Sequence, residues 1–131
     1  MRICVSGTFG VTSLVNRLVF DTFTLHHKPT ILVTKYKTNG YEVVDLPAGA
    51  CPMKCNVLIL TCKTQQEIEA LARAWLGFHH HLVIAFYGDA PEEPKLCPEP
   101  HFVPVDNMSR DGIQEILRLI HIYKYTRHTQ K

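Results

Sequence analysis

Two stretches of this chain, NVLILTC at residues 56–62 and HLVIAF at 81–86, restrict its fold more than any other feature. Both are rich in Val, Ile and Leu, and both are apolar on the two faces that a strand presents. Runs of that kind are the central strands of a parallel sheet covered by helices. The segment between them has a helical pattern. Thr64-Gln-Gln-Glu67 is a capping box, in which threonine and glutamate satisfy each other's free amides. Ile68, Leu71, Ala72, Trp75 and Leu76 then recur at i, i+3, i+4, i+7 and i+8, and Gly77 ends the run.

The remaining elements follow the same alternation. Strand-like runs cover residues 2–6, 31–37, 41–45 and 102–105. Leu14, Val15, Leu18 and Val19 give a first helix a one-sided stripe; a last helix starts near Ser109 and carries Ile113, Ile116, Leu117 and Ile120 on one face. Asn39-Gly40 between two strand runs is the strongest short hairpin signal. Residues 91–100 hold four prolines and no periodicity, so they read as a loop, and the mildly basic tail at 123–131 is expected to fray. The order β-loop-α-ββ-β-α-β-loop-β-α predicts an α/β fold with a mostly parallel sheet and one antiparallel hairpin at its edge.

Composition narrows what such a fold does. The 131 residues suffice for one domain, and 46% hydrophobic residues supply a core. With 14 basic and 12 acidic side chains the formal net charge is only +2, which excludes nucleic acid as a partner on charge grounds. No apolar run approaches the roughly 18–20 residues of a membrane span. Met1-Arg2 leads into a strand-like run rather than a secretory leader, and neither a myristoylation glycine nor a prenylation cysteine is expected. Five cysteines at irregular spacing fit reduced thiols and a cytoplasmic protein.

The first strand runs into VSGTFGVTSL, residues 5–14, which has the outline of a phosphate-binding loop: strand, glycines, hydroxyls, helix. With that loop at its start, the element order resembles the Ras-superfamily small GTPases, Rab-like members in particular, over nearly the whole chain. Asp21-Thr-Phe-Thr24 and Pro29-Thr30-Ile31 resemble the Rab-type approach to switch I, whose threonine reaches Mg²⁺ in the family. Asp45-Leu-Pro-Ala-Gly49 is similar to the Asp-x-x-Gly turn before switch II, and residues 83–89 fall where the family reads guanine. The resemblance implies a compressed Ras-like G domain with Gly7, Gly10, Thr12, Ser13, Asp45 and Asp89 as the residual nucleotide-binding residues. Thr12 and Thr30 would approach a metal only as part of a bound Mg²⁺-nucleotide.

Each motif departs from the family's pattern. Gly7-Thr-Phe-Gly10 has two residues fewer between its glycines than the usual loop, and Val11 replaces the lysine that bridges the β- and γ-phosphates. Phe86 and Tyr87 occupy the asparagine and lysine positions before Asp89, and Ala50 stands where glutamine orients the attacking water. Asp106-Asn107-Met108 replaces the last motif, with either nucleotide repulsion or helix capping as the role of Asp106. The chain is therefore expected to be a pseudo-GTPase without hydrolysis and without a cofactor. The alternative is a nucleotide-binding switch that holds GTP or GDP with Mg²⁺ weakly through the altered loop.

Two helices of the family pattern are missing: the switch II helix, for which residues 51–55 leave no room, and the helix before the last strand, displaced by the loop at 90–101. Both belong to one face of the family's sheet. Baring several hundred Å² there is unfavourable at about 25 cal/mol per Å², so a second copy, a protein partner or the rearranged proline loop is expected to cover it. Lys28, Thr30, Lys35, Tyr36, Lys37 and Tyr41 form a second candidate partner surface, equivalent to the family's effector region; lysines guarding an edge strand are the plainer account. Cys51-Pro-Met-Lys-Cys55 and His79-His-His81 lack the paired dyads of a zinc site, and no cysteine is set beside a marked base, so neither metal nor nucleophilic catalysis is assigned.

Overall fold

A computed structural model describes residues 1–7, 10–20, 33–38, 40–46, 50–87, 100–105 and 111–129. Six strands form one sheet in the order β2-β3-β1-β4-β5-β6. They are β1 (Arg2–Gly7), β2 (Thr34–Thr38), β3 (Tyr41–Asp45), β4 (Val57–Cys62), β5 (His81–Phe86) and β6 (His101–Pro104). Only β2 runs antiparallel to its neighbour; Thr38 faces Tyr41 across the hairpin, where Gly40 takes a left-handed φ of 82°. The helices are α1 (Val11–Phe20), α2 (Gln65–Ala74) and α3 (Asp111–Thr129).

Strand alternation sorts the apolar residues into two cores. Ile3, Val5, Val57, Ile59, Val83 and Ala85 point to one face, where Leu14, Val15 and Leu18 of α1 and Ile113, Ile116 and Ile120 of α3 cover them. Cys4, Val44, Leu58, Leu60, Leu82 and Ile84 point to the other, against Ile68 and Trp75. All six residues of β4 are buried, as a strand covered on both faces requires. The capping box forms as expected: the Glu67 amide donates to Thr64 Oγ1 and the Thr64 amide donates to Glu67 Oε2, both at 3.3 Å.

Three expectations are corrected. The face lacking helices is not bare: its sheet residues Cys4, Val44, Leu58, Leu60 and Ile84 are fully buried. Beyond α2, the irregular segment 50–55 closes the gap with Ala50, Met53 and Cys55, aided by Phe78 and Phe102. A 2.9 Å bond from the Cys55 amide to the Phe78 carbonyl ties that segment to the α2 turn. An irregular segment thus covers these sheet residues where the helix is missing. The tail does not fray at residue 123, because Tyr123 is buried in the α3 core and stacks on His81, and the helix continues to Thr129. The last strand is His101–Pro104 rather than 102–105. Residues 88–99, and with them the expected proline loop apart from Pro100, lie outside the described residues, as do 106–110.

Candidate functional site

In an open α/β sheet a ligand binds beyond the C-terminal ends of the strands, where neighbouring strands send their helices to opposite faces. Here that point lies between β1 and β4: α1 leaves β1 for one core and α2 leaves β4 for the other. The sheet is polar at this end. Ser6, Asp45 and Thr61 are the buried polar or charged residues among those described; Asp45 ends β3, and Ser6 and Thr61 are the next-to-last residues of β1 and β4. Sequence reading singled out Asp45 but missed Thr61, a lone threonine within an apolar strand. Its hydroxyl donates to the Ser6 carbonyl at 3.4 Å.

The loop residues have structural assignments of their own. Gly7, at φ 148°, pairs with Thr61; a Cβ there would overlap the Thr61 Oγ1 and carbonyl oxygen and lie 2.8 Å from its amide nitrogen. Close approach of β4 therefore demands a glycine, whatever the loop binds. Gly10, at φ 70°, accepts the amide of Leu14 at 2.9 Å and so starts α1. Val11 packs against the α1–α3 core, and Thr12 is half-buried. Ser13 lies within α1. The fold thus brings Gly7, Gly10, Thr12, Ser13 and Asp45 to one end of the sheet. Thr30, Lys28 and Asp89 lie outside the described residues.

The expected basic-aromatic patch divides in two. Strand alternation turns Tyr36 toward the α1–α3 core, where Tyr41 also packs, and leaves Lys35 and Lys37 exposed. A missed feature lies at the opposite, N-terminal end of the strands. There Lys37 pairs in register with Glu42, and Glu42 with Arg2, across three neighbouring strands. Arg2 Nε lies 3.1 Å from Glu42 Oε1, and the Arg2 amide donates to Asn56 Oδ1 at 2.8 Å. This row floors an open cleft of about 770 Å³ whose walls include Tyr41, Lys54 and His80.

Beside the cleft, the Cys4 thiol donates to the Cys55 sulfur, which with burial raises the Cys4 pKa; the same bond holds Cys55 below the ordinary thiol range. Burial pushes Cys62 up to about 12. Raised pKa values and burial make Cys4 and Cys62 packing groups. Cys51 is exposed while Cys55 is buried, and among the described residues no three His, Cys, Asp or Glu side chains converge to hold a metal. Burial, followed by the neighbouring His80 charge, lowers the pKa of both His79 and His81.

Comparison with known proteins finds no matching family model and no matching curated protein. Among the described residues no helix is long and apolar enough to cross a membrane.

Proposed function

We propose that this chain is a pseudo-GTPase, a Ras-like domain that acts as a protein-interaction module without turning over nucleotide. The observation that carries the reading is Val11. At the first position of α1, where the phosphate-loop lysine belongs in the resemblance, stands an apolar side chain packed against the core. A loop without that cation, and two residues shorter between its glycines, cannot neutralise a triphosphate in the usual way. The strand order, with β1 central and the hairpin at the edge, supports the scaffold half of the reading. Exposed Lys35 and Lys37 on the edge strand support the interaction half. The unbridged cysteines among the described residues accord with a cytoplasmic setting.

One observation favours the second reading, a nucleotide-binding switch. Asp45, Ser6 and Thr61 make the phosphate-loop end of the sheet polar, and the α1 N-terminus offers its amides to an anion. The deciding experiment denatures the purified chain, chromatographs the supernatant for GDP or GTP, and melts the native protein with Mg²⁺-GTP. A pseudo-GTPase releases no nucleotide and melts unchanged. Nucleotide near one per chain, or a rise in Tm with Mg²⁺-GTP, overturns the proposal in favour of the switch.

A further inference from the structure

The cleft at the N-terminal end of the sheet lies opposite the phosphate-type loop, and nothing in the pseudo-GTPase resemblance accounts for it. Its floor is polar where the next residue along each strand enters a core. Arg2 and Glu42 precede buried Ile3 and Val43, and Asn56 precedes buried Val57. Charge there is unbalanced: Arg2, Lys37 and Lys54 face a single described carboxylate, Glu42, which Arg2 already engages at 3.1 Å. Lys37 and Lys54 are exposed, and neither forms an ion pair with another described residue.

The geometry points to this cleft as the docking site for an acidic peptide segment of a protein partner. Three features select a peptide over a polyphosphate. The cations come from separate elements, Arg2 from β1, Lys37 from β2 and Lys54 from the irregular segment, which suits carboxylates spaced along a chain. Helix N-termini, the usual phosphate cradle, are remote: α1 and α2 start after the C-terminal ends of β1 and β4. Tyr41 and the lysine stems give the walls an apolar component that fits side chains between the acidic ones. The cleft also opens beside the end of edge strand β2, whose outer side has no strand neighbour among the described residues, so an extended segment can continue along it. This inference rests on the reading of the chain as an interaction module and names the chemistry of its partner.

The test titrates the intact chain into a fluorescein-labelled hexaglutamate peptide and follows anisotropy at about 50 mM NaCl, where surface electrostatics is weakly screened. Saturable binding is expected. The double charge reversal Lys37→Glu with Lys54→Glu should weaken it about tenfold or more, while Arg73→Glu, at an exposed position of α2, should leave it within about twofold. Both lysines are exposed, so the double variant should keep the wild-type circular dichroism and melt. No binding by the wild-type chain, equal weakening by Arg73→Glu, or tripolyphosphate binding more tightly than the peptide and displacing it would overturn the inference. Nucleotide content measured on the same preparation tests the pseudo-GTPase reading separately, so the two can fail independently.

Discussion

Replacing Trp75 with alanine tests whether the chain covers its own sheet. The indole is 2% exposed, lies in the α2-side core, and meets Phe78 edge-on with ring centroids 6.3 Å apart. A buried tryptophan removes about 150–250 Å² from water, and at about 25 cal/mol per Å² that contributes about 4–6 kcal/mol. Partial collapse around the cavity brings the expected loss to about 3–5 kcal/mol. Since a domain of this size has a stability of about 5–15 kcal/mol, the variant should be close to unfolding. Its backbone bond from the residue 75 amide to the Leu71 carbonyl, at 3.1 Å, survives the substitution, so the loss reports the side chain. Urea unfolding followed by far-ultraviolet circular dichroism is the assay, because the chain has one tryptophan and the variant loses its fluorescence. The midpoint should fall steeply, and sedimentation of the surviving native fraction should reveal self-association through newly exposed Leu58, Leu60 and Ile84. A loss below about 1 kcal/mol, with the protein still monomeric, would mean that the indole does not cover the sheet.

Thr64→Ala removes the oxygen that accepts the Glu67 amide and should cost about 1 kcal/mol, whereas Thr64→Ser should cost a few tenths; urea midpoints of the two variants decide it. His79 and His81 have depressed pKa values in the fold, so the unfolded chain binds more protons below the ordinary histidine value of about 6.5. Stability should therefore be complete above about pH 6.5 and decline as the pH falls below it. His81→Phe, which keeps a ring on Tyr123, should flatten the decline in a pH series of urea midpoints. Gly7→Ala should destabilise by more than about 3 kcal/mol through positive φ and overlap with Thr61. Adding Thr61→Ala should not rescue it, because the Thr61 carbonyl oxygen remains in the way; a neutral Gly7→Ala in thermal melts would refute that packing.

The fold was legible where one physical signal dominated. The run at residues 81–86 reads directly as β5, Gly40 turns the hairpin, and Thr64 with Glu67 sets the start of α2. The cover of the α2-side face was not legible. Residues 50–55 have no periodicity, and their contribution through Met53 and Cys55 depends on where the chain passes rather than on local pattern. The helical reach of α3 was missed for a related reason: Tyr123 looks like part of a basic tail until the fold sets it on His81. The cleft was hidden more thoroughly. Arg2 is far from Glu42 in sequence, and only the parallel register of β1 on β3 sets it beside the Lys37–Glu42 pair of the hairpin.

The two ends of the sheet differ in how far packing accounts for their polar residues. At the C-terminal end the loop residues have packing roles of their own: Gly7 admits β4, Gly10 starts α1, and Val11 packs against the core. Gly7 is required by packing whether or not the loop binds an anion, so the outline of the loop alone does not report its chemistry. At the N-terminal end three cations surround one described carboxylate; guarding the edge strand accounts for Lys37 but not for Arg2 or Lys54. Exposed lysines cost little to keep or to lose in stability, so Lys37 and Lys54 are where a binding function can be removed without unfolding the chain. That separation makes charge reversal in the cleft a cleaner probe of function than any substitution in the loop.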